Sequence, residues 1–333
     1  MRIAINGFGR IGRNVLRALV QDPEALKKID VAVINVGPAL IANVAHMFMY
    51  DTLMGPLKKR VTVEDDHLVI DHVRIQLISI IDPVHLNWKQ YAIDWVVDAS
   101  GRFTRRTMAE KHIIAGASYV LISAPAHDED ITIIMGVNQQ QFNKQKHHII
   151  SLGSCTTNAI VPMLDVLDKA FGITFATMTT IHAYTNNQAL IDVESDDLRR
   201  ARAAALNIVP STTGSRTLIT KILPQLVHKV TAVAIRVPVA KISLIDLVFN
   251  TKQQITTDTI HAACQKAQLG ALKNIMEVIN EPLVSSDFYG NAHSVSIDST
   301  LTQAHGTVGQ LFGWYDNEWG YSQRIKDFLM YCG

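Results

Sequence analysis

Three absences bound this 333-residue chain. Cysteine is scarce: Cys155, Cys264 and Cys332 are odd in number, lie far apart and show no CxxC spacing. That excludes a disulfide framework and a structural zinc site, and it suits a reducing compartment. A dominant charge is missing too. Lys plus Arg (31) nearly cancels Asp plus Glu (30), which removes bulk attraction to nucleic acid or anionic membrane as a functional theme. Long apolar runs are the third absence, none approaching the ~20 residues that span a bilayer. The opening, Met1 to Gly7, breaks into a glycine turn before a signal-peptide core forms, so a cytoplasmic location is expected. The thirteen histidines show no HxxxH or paired His/Cys spacing, and no metal site is expected. Repeats, low-complexity tracts and Pro- or Ser-rich linkers do not occur.

What is present is a large apolar fraction, 48% against 18% charged, enough to bury a core and offset ordering entropy. At roughly 150 residues per domain the length predicts two domains. The first half alternates short β-branched runs with helical periods. Ile3 to Ile5 precedes a glycine turn, then Ile11, Val15, Leu16 and Leu19 share a helical face, then Ile29 to Asn35 is strand-like again. Further strands are predicted at Val61 to Val63, Val73 to Ile81, Trp95 to Asp98, Tyr119 to Ser123, Thr132 to Met135 and His148 to Ser151, with a helix over 107–116. This is an α/β pattern with a mostly parallel sheet. From about residue 153 the rhythm changes: an apolar helix over 159–171, then long strands at Thr177 to Ala183, Lys229 to Val237, Ile242 to Asn250 and Gly306 to Trp314. That predicts an α+β domain with a mostly antiparallel sheet. The stretch from Ala183 to about Leu206 is long, polar and charge-dense, and Ser322 to Met330 reads as a helix.

Gly7-Phe8-Gly9-Arg10-Ile11-Gly12 matches GxGxxG between a strand and a helix, the dinucleotide-binding pattern: a tight turn, close approach of a pyrophosphate, and a helix N-terminus facing it. The same fingerprint expects an acid at the end of the second strand, for the ribose hydroxyls. Here the strand runs out as Asn35-Val36-Gly37, without one.

Cys155, in Ser154-Cys155-Thr156-Thr157-Asn158, sits at a turn into a helix, where the dipole favours a thiolate, and its neighbours are polar. Cys264 and Cys332 read as small buried hydrophobes. His182 ends a strand-like run, though spacing alone does not bring it to Cys155. Arg236, within a β-branched run, needs a partner or an anion. Arg199-Arg200-Ala201-Arg202 is either a solvated basic run or part of an anion site, and Thr212-Thr213-Gly214 is a turn able to hold a phosphate.

Taken together, the glycine motif through Arg13, Ser154 to Asn158, Thr180 to Thr185, Asp197 to Ala205, Ser211 to Gly214, Arg236-Val237-Pro238 and Trp314 to Tyr321 resemble the phosphorylating glyceraldehyde-3-phosphate dehydrogenases, in family order along the whole chain. The resemblance implies an N-terminal Rossmann domain (1–152 with 315–333) and a catalytic domain (153–314) containing an S-shaped loop near 183–205. It implies that His182 keeps Cys155 as thiolate and serves as its base, with a thioester formed on Cys155 and cleaved by inorganic phosphate. It assigns the substrate phosphate to Thr185 and Arg236, and the attacking phosphate to Ser154, Thr156, Thr213, Gly214 and Arg200. Gly7, Gly9, Arg10, Ile11, Gly12, Ser123 and Asn317 line the cofactor path, Asn317 holding the nicotinamide carboxamide. The implied cofactor is NAD, with NADP use left open by Val36 and opposed by Glu194 in the S-loop. The implied partners are a triose phosphate and inorganic phosphate, and the implied assembly is a homotetramer; neither nucleic acid nor membrane is expected.

Departures from the family pattern are Leu152-Gly153 before Ser154, Ala159 where many members have cysteine, Ser215-Arg216-Thr217 after Gly214, and Val239-Ala240-Lys241 in place of Thr-Pro-Asn. Two enzyme alternatives share parts of the pattern. Erythrose-4-phosphate dehydrogenase releases an acid by hydrolysis, but tends to lose the Thr-Gly pair and the Ala-Tyr-Thr that are present here. The semialdehyde dehydrogenases lack the Asn317 to Gly320 region. A lapsed nucleotide-binding protein with other partners is the non-enzyme alternative, opposed by the intact Cys155 and His182.

Overall fold

The computed structural model describes all 333 residues as two compact units: Met1–Ile133 with Gln139–Gly153 and Ser322–Gly333, and Ile134–Asn138 with Ser154–Tyr321. The boundary therefore differs from the sequence reading at 315–321, which stays in the second unit. There Asn317 bonds to Ile242 and Ser243, and Gly320 lies against the His293 carbonyl.

The first unit contains β1 (Arg2–Asn6), α1 (Arg10–Val20), α2 (Pro23–Lys28), β2 (Asp30–Asn35), α3 (Val44–Met49), β3 (Val61–Glu64), β4 (His67–Ile70), β5 (Val73–Ile78), β6 (Trp95–Asp98), α4 (Arg106–Ile114), β7 (Tyr119–Ile122), β8 (Ile131–Thr132) and β9 (Ile149–Ser151). Its nine strands run in the order β3-β4-β5-β2-β1-β6-β7-β9-β8. β1 lies between β2 and β6, parallel to both, and the strand order reverses there, where α/β sheets bind ligands. Ile3, Ala4 and Ile5 are buried on both faces, as a central parallel strand requires, and each large apolar side chain so buried contributes about 1.5–3 kcal/mol. Close packing explains two glycines. A Cβ on Gly7 would meet the Ser100 backbone at 2.6 Å, and one on Gly12 would collide with the Gly7 carbonyl.

The sheet is mostly parallel, as expected; the exception is the antiparallel arm β3-β4-β5, whose β4 carried no clear alternation in the sequence. β5 stops at Ile78 rather than Ile81, since the Ile80 amide leaves the ladder to bond Asn35 Oδ1 at 2.9 Å.

The second unit adds α5 (Cys155–Phe171), β10 (Ile173–Ala183), β11 (Val209–Ser211), α6 (Ser215–Ile222), β12 (Val230–Val237), β13 (Ser243–Thr251), α7 (Thr257–Leu269), β14 (Met276–Ile279), β15 (Val295–His305), β16 (Val308–Tyr315) and the start of α8 (Trp319–Cys332). The seven strands run β11-β12-β10-β13-β16-β15-β14. Most pairs are antiparallel; β10 with β12 and β14 with β15 are parallel. The parallel pair matters most, because its register sets His182 beside Arg236. β15 was not foreseen: its Ser, Thr and Asp content hides the strand. No helix is long and apolar enough to cross a membrane.

Candidate active site

In the first unit the GxGxxG turn opens onto a cavity of about 310 Å³, lined among others by Gly7, Phe8, Gly9, Asn35, Val36 and Ser100. Gly9 is informative. Its φ of -77° suits any residue, and a Cβ there would meet no protein atom within 4 Å, so neither conformation nor packing within the chain requires glycine. A diphosphate pressed against the backbone at the start of α1 would require it, and on that ground these residues fit a dinucleotide.

Beneath lies a closed polar chain. Asn35 Nδ2 donates to Asn6 Oδ1 (2.8 Å) and the Ile80 carbonyl (2.9 Å), and Asn6 Nδ2 donates to Asp98 Oδ2 (2.8 Å). His112 Nε2 donates to the same Asp98 oxygen, while its Nδ1 accepts from Trp88 Nε1 at 3.0 Å. Asp98 Oδ1 accepts from the Ser100 amide and hydroxyl. Asn35 is thus fully committed and cannot stand in for the absent acid, and no carboxylate lines the cavity. Arg10 is ion-paired with Asp51, whose carboxyl lies below its ordinary range: the Arg10 hydrogen bond and the Met54 and Leu53 amides outweigh burial, the largest single effect. Ile11 and Gly12 begin α1, and Ser123 follows β7 with its amide on the Asp98 carbonyl; none of these lines the cavity.

The second unit assembles a thiol site from four elements. Ser154 caps α5 by accepting the Thr157 amide at 3.1 Å, which puts Cys155 at the first helical position. His182, near the end of β10, places Nε2 3.5 Å from Cys155 Sγ. Its Nδ1 lies 2.6 Å from the Ala183 carbonyl; with the ring proton on Nδ1, Nε2 turns its lone pair to the thiol. Arg236 of β12 crowds the same ring: Nη1 lies 2.6 Å from His182 Nδ1 and 3.1 Å from the Ala183 carbonyl it shares.

Burial, and then the Arg236 charge, push the His182 imidazole down to about 3. Burial pushes the Cys155 thiol up, opposed first by Arg236 and then by the Thr156 hydroxyl. Burial thus works against charge on both groups, while the Arg236 guanidinium favours the thiolate and disfavours the imidazolium.

Arg236 Nε is buried without a hydrogen-bond partner. A second anion-ready turn lies at Thr213–Gly214, where Thr213 Oγ1 accepts the Ser215 amide and Arg200 Nη2 donates to the Thr212 carbonyl at 3.1 Å. A Cβ on Gly214 would again meet open space.

Residues 1–106 match the family model of the glyceraldehyde 3-phosphate dehydrogenase NAD binding domain, and residues 154–317 match that of its C-terminal domain. The chain belongs to the glyceraldehyde-3-phosphate dehydrogenase family. It is 46% identical over 334 residues to glyceraldehyde-3-phosphate dehydrogenase 2 of Streptomyces avermitilis, covering 100% of this chain and 98% of that protein. It is 44% identical over 333 residues to the enzyme of Geobacillus stearothermophilus (99% and 98% covered), and 44% identical over 330 residues to the chloroplastic A form of Chlamydomonas reinhardtii (98% and 87%).

Within this family member several site residues escaped sequence reasoning. Tyr315 is buried beside the thiol, its hydroxyl bonded to Thr156 Oγ1 (2.9 Å) and Thr180 Oγ1 (2.7 Å), its ring edge-on to His182 at 5.9 Å. Burial raises its phenol well above the ordinary range. The signal for Thr180 was available: it lies two residues from His182, on the same face of one strand. Lys241, a departure without a reason in the sequence, proves to be wholly buried and paired with Asp316.

Proposed function

We propose that this protein oxidises glyceraldehyde 3-phosphate to an acyl phosphate at Cys155, using NAD and inorganic phosphate. The observation that carries the reading is the approach of His182 Nε2 to the Cys155 sulfur, 3.5 Å away, with an underused guanidinium beside it.

His182 takes the thiol proton as Sγ forms a bond to the aldehyde carbon and passes it to the carbonyl oxygen, which becomes the hemithioacetal hydroxyl and leaves His182 neutral. His182 then accepts that hydroxyl proton while the carbon gives up its hydride, leaving a thioester on Cys155. NAD, when bound, supplies the hydride acceptor. Phosphate oxygen next attacks the thioester carbon, the C–S bond breaks, and His182 returns its proton to the sulfur. Arg236 and Thr185 hold the substrate phosphate. Ser154, Thr156, Thr213, Gly214 and Arg200 serve the attacking phosphate. Gly7, Gly9, Gly12, Arg10, Ile11 and Ser123 form the dinucleotide path, with Asn317 on the carboxamide.

The enzyme works as a homotetramer, a reading supported by the apolar side chains that the 183–208 segment leaves in solvent, with Leu190, Leu198 and Leu206 each at least 80% exposed. A reducing cytoplasm keeps Cys155 free. The test is NADH formation from glyceraldehyde 3-phosphate with and without inorganic phosphate. Strict phosphate dependence, abolished by iodoacetate alkylation of Cys155, supports the reading; phosphate-independent turnover to the free acid overturns it.

A further inference from the structure

Two loops of the second unit are clasped side by side next to Asn317. Lys241 Nζ meets Asp316 Oδ2 at 2.8 Å with both side chains fully buried, and the ammonium lies 5.6 Å from the centre of the Tyr289 ring. The next residue along each loop is joined too: the Ile242 amide donates to Asn317 Oδ1 at 3.1 Å, and Ser243 Oγ donates to the same oxygen at 3.4 Å. Ile242 stands at φ +72°, a conformation that a β-branched residue adopts only under restraint. Asp316 is held by more than Lys241. Its Oδ1 accepts the Glu318 and Trp319 amides that start α8, and its Oδ2 accepts the Gly290 amide.

The consequence falls on Asn317. A backbone N–H can only donate, so the atom facing Ile242 must be the amide oxygen, and the flip of the Asn317 side chain is decided by chemistry. Oδ1 carries both of its internal bonds, which leaves Nδ2, a donor, for something outside the protein. Without the Lys241 charge, Asp316 would keep a buried carboxylate short of its cation, and the 241–243 backbone that fixes Asn317 would lose its anchor.

We infer that Lys241 is a positioning residue for the cofactor: through Asp316 and the strained Ile242 it holds the Asn317 amide with Nδ2 presented to a carboxamide oxygen. This rests on the reading of Asn317 given above. The asparagine of the Thr-Pro-Asn pattern would carry no charge to pair with Asp316, as Lys241 does here.

The test is a double-mutant cycle read by NAD titration of tryptophan fluorescence, so it stands apart from turnover. Lys241→Met is expected to weaken NAD by about tenfold, the loss of one well-placed hydrogen bond, and Asn317→Ala by a similar factor. The double variant is expected to match Asn317→Ala alone, because one residue acts through the other. Lys241→Arg restores affinity. The alkylation rate of Cys155 by iodoacetamide without cofactor stays unchanged, reporting an intact thiol site. Should Lys241→Met fold poorly, Lys241→Met with Asp316→Asn removes both charges and carries the same expectation. Additive losses, or NAD affinity unchanged in Lys241→Met, overturn the inference. NAD binding that obeys the cycle in a protein that fails to oxidise glyceraldehyde 3-phosphate overturns the functional reading instead.

Discussion

The floor of the dinucleotide cavity and the thiol site are both polar and both buried, yet they treat their polar groups in opposite ways. On the floor, Trp88, His112, Asp98, Asn6 and Asn35 form a chain in which each ring N–H and each side-chain amide donates to an acceptor. At the thiol site Arg236 Nε has no partner, Arg236 Nη1 and His182 Nδ1 both approach one carbonyl, and burial works against charge on a sulfur and an imidazole. A satisfied network fixes shape and costs nothing further when a ligand arrives. An unsatisfied one is poised, because an anion lowers its energy on entry. On the proposed function, the floor would hold the cofactor still, and substrate would change the electrostatics of the thiol site.

The largest effect that separates the two regions is expected from Cys155→Ser. Turnover should fall by on the order of a thousandfold or more, while NAD affinity stays within about twofold of the parent. A large loss of NAD binding would mean that the regions are not independent. Arg236→Leu comes next, with a loss in kcat/KM for the aldehyde of about a hundredfold from the missing charged contact to phosphate. Its pH dependence has a definite sign. Arg236 opposes the upward push of burial on the Cys155 thiol, so removing it moves the alkylation profile of Cys155 to higher pH. The same change relieves the imidazole, and His182 rises from about 3. An alkylation profile that stays put would show that Arg236 does not set the thiol's charge.

Asp98→Asn attacks the floor instead. Whichever way the new amide turns, its NH₂ faces an N–H donor, from Asn6 and His112 on one side or the Ser100 amide on the other. One buried donor is left unpaired, at about 2 kcal/mol of stability by urea titration. NAD should weaken alongside, while Cys155 alkylation does not change. A variant as stable as the parent would mean that the network is slack.

The same contrast explains what could be read from the sequence. The glycine turn, the βαβ opening and the run of parallel strands were legible, because a dinucleotide site is made of contiguous residues obeying local backbone rules. Cys155 was legible as a helix-start cysteine. Its meeting with His182 was not, because that depends on the register of β10 and on a helix 27 residues earlier, and the resemblance supplied it. Tyr315 and Lys241 were missed for the same reason: each is defined by partners 75 to 159 residues away. The opposing pushes of burial and Arg236 on the thiol were also out of reach, since they follow from packing and from one guanidinium in the neighbouring strand.

The smallest expected effect concerns the one place where the floor lacks a group. Val36 follows β2 where a carboxylate would accept the adenosine ribose hydroxyls, and Asn35 cannot replace it. Arg102, exposed at the cavity, is the only charged side chain in the lining. The floor therefore offers a ribose 2′-phosphate no repulsion, and the parent should bind NADP within about tenfold of NAD. Val36→Asp should widen that ratio by a further factor of about ten, through a hydrogen bond gained by NAD and repulsion felt by NADP. Fluorescence titration with both dinucleotides checks the pair of numbers. A parent that already favours NAD by more than about a hundredfold would move discrimination off the floor, with Glu194 as the remaining acid, and a Glu194→Ser variant with a lowered ratio would then place it in the S-loop.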